Sequence, residues 1–131
     1  MGFVLMIHSI LRWLIVIVGV LVLIKFGIGW LQKNEYASAD RGLGSAFTGM
    51  IDLQVLLGVI YFIVDGISTG FPPYRIEHAV TLIIAAGVAH LPARWKNAEG
   101  PVRFRNSFLS ALAALALIFL GVAILPGGWT R

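Results

Sequence analysis

Seven ionisable side chains lie within or at the edges of long apolar runs: His8, Arg12, Lys25, Asp52, Glu77, His78 and His90. Ionisable residues inside a membrane face a bundle interior or a cavity, usually beside a partner. Two chemistries suit these types and spacings. His8 and Arg12 are four residues apart, one turn of one helix face, and Glu77 and His78 open a later run. Imidazoles from two helices can supply both axial ligands of a b-type haem, with an arginine beside its propionates. Small residues on the facing surfaces would admit a flat macrocycle: Ala85 and Ala89 on the side of His78, and Gly19 on the side of His8. The alternative is an Arg12–Glu77 ion pair, with both imidazoles hydrogen-bonded at the membrane edge and the small residues serving ordinary helix contacts. Asp52 with Lys25 or His90 could relay protons or hydrogen-bond a quinone headgroup. A plainer account pairs Asp52 with Lys25, since an unpaired charge at a helix centre costs about 2.5–3.5 kcal/mol on insertion scales.

The rest of the composition determines what must position these groups. The chain has 131 residues, 59% of them hydrophobic and only 12% charged. Its mean hydropathy is +0.91. Soluble domains carry about a quarter charged residues, so a water-soluble globule and a disordered chain are both excluded. The absence of cysteine excludes disulfide scaffolds, iron–sulfur clusters, thiolate zinc sites and covalent c-type haem attachment. The net charge of +4 does not point to nucleic acid, because Lys and Arg fall mostly in short gaps between apolar runs. No phosphate loop, nucleophile triad or His-x-x-x-His pattern is present, and Met6 has no metal-like neighbours.

A spanning helix needs about 20 mainly apolar residues, and four runs approach that length. They cover about 3–31, 46–64, 76–91 and 107–125. Between them, 34–44 mixes charges with Ser and Gly, 65–73 contains Gly66, Gly70 and the Pro72–Pro73 pair, and 92–101 is bracketed by prolines. Backbone groups in hydrocarbon must be satisfied internally, so the expectation is one all-α domain over 1–131, an integral membrane four-helix bundle. The first run continues through Gly27 to Leu31 with no A-x-A site after it, which argues for a retained helix rather than a cleaved leader.

Lys33 and Arg41 in the first gap, with Arg94, Lys96, Arg103 and Arg105 in the third, outweigh Arg75 and Arg131 opposite. The positive-inside rule then places those gaps in the cytoplasm and both termini on the outer side. Trp30, Trp95 and Trp129 fall near the interfaces. His8, Arg12, Glu77 and His78 form an outer layer, and Lys25, Asp52 and His90 an inner one. Gln54, Gly58, Tyr61 and Asp65 add a stripe at helical spacing. The fourth run has no ionisable group; Ser107, Ser110, Ala111, Ala114 and Gly121 suit it to close packing or to a subunit interface.

Three strings resemble small bacterial four-helix membrane proteins of the cytochrome b type. They are His8-Ser9-Ile10-Leu11-Arg12-Trp13, Gln54-Val55-Leu56-Leu57-Gly58 with Tyr61, and Arg75-Ile76-Glu77-His78. The second string and the layout are also similar to one half of haem A synthase. The resemblance implies His8 and His78 as haem candidates, with Arg12, Gln54 and Glu77 in support; His90 matches none of these strings. It further implies respiratory or photosynthetic membranes and a quinol-oxidising assembly such as alternative complex III. The resulting expectation is an accessory subunit, without independent catalysis, of a quinone-linked complex in a bacterial plasma membrane. It would contact larger membrane subunits, lipid and menaquinone or ubiquinone near Asp52, His90 and Lys25. The other expectation is an electron carrier with one haem b held by His8 and His78.

Overall fold

The computed structural model describes residues 2–130, and they form the four expected helices. These are α1 (Gly2–Leu31), α2 (Ser38–Thr69), α3 (Pro73–Ala89) and α4 (Gly100–Ile124), with short 3-10 turns at Leu91–Trp95 and Gly128–Thr130. All four are long and apolar enough to cross a membrane, α3 when counted through the turn to Trp95. The lateral contacts define an antiparallel square. α1 and α3 each pack against α2 and α4, and neither diagonal pair approaches. The start of α1, the end of α2, the start of α3 and the end of α4 therefore share one end, the terminal end. The first and third connections share the other, the basic end.

Each helix starts ahead of the apolar segment that announced it, and α2 also runs past its end, whereas α3 stops at Ala89, two residues short of the expected 91. α2 begins at Ser38 within the expected gap, because Asp40 in its first turn accepts a hydrogen bond from the Ala37 N–H at 2.9 Å. Lys25 Nζ, at 2.8 Å, neutralises the same carboxylate. At its other end α2 continues to Thr69 and stops at Gly70, whose φ of 91° favours glycine. α3 then starts on Pro73, at a position where the missing N–H costs nothing. α4 begins at Gly100, seven residues ahead of the apolar run expected from Ser107, again with a proline in its first turn. Hydrocarbon thickness sets the length of an apolar stretch, and a helix can continue into the headgroup region beyond it.

Small residues let the backbones close in. A Cβ on Gly29 would lie 2.7 Å from the Phe104 ring, and one on Gly19 would meet Leu115 and Phe47. Ser107, Ser110, Ala111, Ala114 and Gly121 are all buried, so the small-residue face of α4 is an internal packing surface. The faces turned away from the bundle are also apolar: Ile10, Ile17 and Ile24 on α1, Leu53, Leu56 and Ile60 on α2, Leu112 and Phe119 on α4. Helices hydrophobic on all sides suit a lipid solvent.

Candidate functional site

In the half of the bundle nearer the terminal end, residues of all four helices enclose a cavity of about 140 Å³. Its walls are mostly apolar, with Ile15, Ile51, Leu82 and Ile118 among them, and the polar groups are His8, Ser9, Arg12, Gln54, Tyr61, Arg75 and His78. The expected stripe on α2 explains three of its features. Gln54 Nε2 donates to the His8 backbone carbonyl at 2.6 Å, tying α2 to the start of α1. Gly58 lies under the His8 ring, where a Cβ would come within 3.1 Å of Cε1. One turn further, Tyr61 joins the wall beside Arg75, whose guanidinium carbon lies 5.8 Å from its ring centroid.

The hydrogen bonds also fix which ring nitrogens hold protons. His78 Nδ1 donates to the Gly121 carbonyl at 2.7 Å, so in the neutral ring Nε2 carries the lone pair. His8 Nδ1 and Gln54 Oε1 are buried without a hydrogen-bond partner. Buried polar atoms are satisfied in the great majority of cases, so two orphans on one cavity are a specific feature. Arg75 Nη1 bridges to Asp65 Oδ2 at 2.5 Å, closing the stripe against the start of α3.

The sequence-derived outer layer is partly brought together. His8, Arg12 and His78 share this cavity, while Glu77 is exposed and forms no salt bridge with Arg12. The Arg12 guanidinium lies 5.1 Å from the Trp13 ring and 5.5 Å from the Trp129 ring, cation–π distances that make indole its neighbour. The space attributed to small residues is also used differently. Leu115 and Phe47 crowd Gly19, Leu82 crowds Gly121, and Ala85 and Ala89 are buried in the helix contacts.

The inner layer separates into two pairs. Lys25 does not reach Asp52; it binds Asp40, a residue the sequence had placed in a loop and which is only 1% exposed. Asp52 instead meets His90 Nε2 at 2.8 Å, with both side chains half-exposed. The register explains the exchange: α3 ends at Ala89, level with the middle of α2, so His90 at its C-cap reaches Asp52.

Because α3 stops there, a second cavity of about 290 Å³ opens beneath it toward the basic end. Tyr36 and Arg103, which sequence reasoning did not single out, meet at its wall, with the guanidinium carbon 3.8 Å from the phenol ring centroid. Burial holds the Tyr36 phenol above its ordinary pKa, so the protonated hydroxyl can donate to the Asp40 carbonyl at 3.3 Å. An aromatic residue in one connection and an arginine about one turn before the fourth apolar run carry no local signal of meeting.

No protein-family model, curated protein or solved structure matches this chain.

Proposed function

We propose that this chain is a multi-pass membrane subunit of a quinone-linked electron-transfer complex in a bacterial plasma membrane. Its own contribution is a headgroup site in the cavity lined by His8, Gln54 and His78. The observation that carries this reading is the pair of buried, unpartnered atoms His8 Nδ1 and Gln54 Oε1 on a mostly apolar wall. A ring with oxygen atoms at opposite edges matches such a wall: its faces pack against Ile and Leu, and its edges meet hydrogen-bonding groups. Bound there, a quinone would supply two-electron, two-proton redox chemistry. His8 would exchange a proton with the oxygen it faces, and the Gln54 carbonyl would accept a hydrogen bond from a reduced ring. The connections 32–37, 70–72 and 96–99 contain no room for a folded redox module. Electrons would therefore pass to a larger partner subunit within the membrane.

The volume supports a single headgroup over a macrocycle. An apolar cavity of roughly 150 Å³ holds one benzene ring, and about 140 Å³ is available here. A haem b held by His8 and His78 remains the second reading, favoured by the His78 Nδ1–Gly121 bond, because ligating histidines commonly donate their other ring N–H to a carbonyl. The donor pair suits that group and the space does not. Purification with partners in mild detergent, followed by quinone extraction and a reduced-minus-oxidised spectrum, separates the two. Quinone retained by the native chain and lost in Gln54→Leu and His8→Leu supports the headgroup site. A b-type spectrum that disappears in both His8→Ala and His78→Ala would replace it with the haem. Migration as a lone species without redox subunits would refute the complex.

A further inference from the structure

The cavity beneath α3 has a charge pattern unlike the first. Arg41 comes from the first turn of α2, Lys96 from the third connection and Arg103 from the first turns of α4, and all three line it. None of them takes part in a salt bridge among the described residues. Its lining includes no Asp or Glu. Asp40, next to Arg41 in the chain, is engaged by Lys25, and Asp52 by His90, each at 2.8 Å. Glu35 and Glu99 are exposed on the connections and are not part of the wall. Three cations thus line one cavity, and none of them is paired with a carboxylate among the described residues.

A second observation is independent of charge. Ser107, only 1% exposed, lines the same cavity beside the Tyr36 hydroxyl and adds a buried polar group to its wall. The deeper wall is apolar, built from Val22, Phe26, Phe47 and Ala111. The cavity exists because α3 has 17 residues against 30 in α1, a shortfall of about 20 Å at 1.5 Å per residue. The tighter turn that follows α3 leaves this space with basic groups at one end and an apolar wall behind them.

We infer that this cavity binds the phosphate ester of an anionic membrane phospholipid, with Arg41, Lys96 and Arg103 around the phosphate and an acyl chain along Phe26, Phe47 and Ala111. Guanidinium and ammonium groups bind phosphate oxygens by charge-assisted hydrogen bonds, and basic pockets between membrane helices are suited to lipid headgroups. The site does not depend on the quinone assignment; it lies at the opposite end of the bundle.

The test uses the full chain reconstituted in phosphatidylglycerol or in phosphatidylcholine nanodiscs, or held in detergent with inorganic phosphate. Retained lipid is quantified by mass spectrometry and thermal unfolding is recorded. Phosphatidylglycerol should be retained in preference to phosphatidylcholine and should raise the unfolding temperature. Arg41→Gln with Lys96→Gln, both at exposed positions, should weaken that retention about tenfold per cation removed. The pair Arg94→Gln with Arg105→Gln removes the same charge at the same end outside the cavity, and should leave retention unchanged. Equal loss in both double variants would overturn the inference, as it would mean general surface charge. Equal retention of the two lipids would overturn it too. So would stabilisation by inorganic phosphate with no lipid retained, because the ligand would then be a soluble anion.

Discussion

Asp40 shows how much a single residue's surroundings matter in a chain this apolar. It is only 1% exposed, its Oδ2 holds the Ala37 N–H at the start of α2, and its Oδ1 binds Lys25 of α1. One carboxylate therefore both starts a helix and ties it to its neighbour. Asp40→Asn keeps the shape but removes the charge, leaving Lys25 without its counter-ion and weakening the cap. The expected loss is about 1–3 kcal/mol, read from unfolding in mixed micelles. Lys25→Met should cost less, because the Lys25 side chain is half-exposed and its removal leaves Asp40 still bonded to Ala37. Equal losses would mean that the ion pair rather than the cap dominates. His8 and Gln54 contrast with this at the same scale: one is joined to the other's helix through a backbone carbonyl, while Nδ1 and Oε1 stay unsatisfied. A fold that satisfies Asp40 so completely and leaves those two atoms bare distinguishes a structural charge from a candidate binding group.

Among the elements, α4 organises the bundle without carrying an ionisable group in its apolar run. Its small residues face inward and admit α1 and α3, most closely where Gly29 of α1 lies against the Phe104 ring. A Cβ there would sit 2.7 Å from three ring atoms, and Phe104 is itself fully buried, so the ring cannot move aside cheaply. Gly29→Leu should therefore destabilise by about 1–3 kcal/mol or more through overpacking. Gly42→Leu, at a position with no neighbour within 4 Å of the added Cβ, is the control expected to have little effect. A similar response from both would show that the α1–α4 approach is not limiting. The shortness of α3 has the opposite consequence. Where α4 fills space, the early end of α3 creates it, and the basic cavity follows from that one termination.

At the scale of the whole molecule, the antiparallel square places a mostly apolar cavity at one end and a basic one at the other. By the positive-inside rule, the excess of Lys and Arg in the first and third connections predicts a cytoplasmic basic end. Because the chain contains no cysteine, single Cys substitutions report topology without background. Lys96→Cys should react with a membrane-impermeant maleimide only from the cytoplasmic side, and Gly70→Cys only from outside. Reversed labelling would invert the orientation and move the proposed quinone site to the inner leaflet.

Hydrophobicity alone determined the class of this protein. Runs of apolar residues long enough for a bilayer leave helices as the only way to satisfy the backbone, and four such runs make a bundle. The small residues of α4 and the stripe of Gln54, Gly58 and Tyr61 were legible for the same reason, since helical periodicity is a local property. Helix ends were less legible. Asp40, Arg41, Arg103 and Arg105 read as loop because charge signals departure from hydrocarbon, yet the backbone remains helical through them. Partnership was not legible at all. Lys25 lies closer to Asp40 in sequence than to Asp52, but whether it reaches either depends on where α2 begins. His90 meets Asp52 because of where α3 stops, and Glu77 turns outward because of how α3 is rotated in the square. Such choices follow from register and rotation between helices, which depend on packing among side chains far apart in the chain. Tertiary structure alone therefore decided which of the scarce polar groups are paired, and left His8 Nδ1 and Gln54 Oε1 facing a cavity unsatisfied.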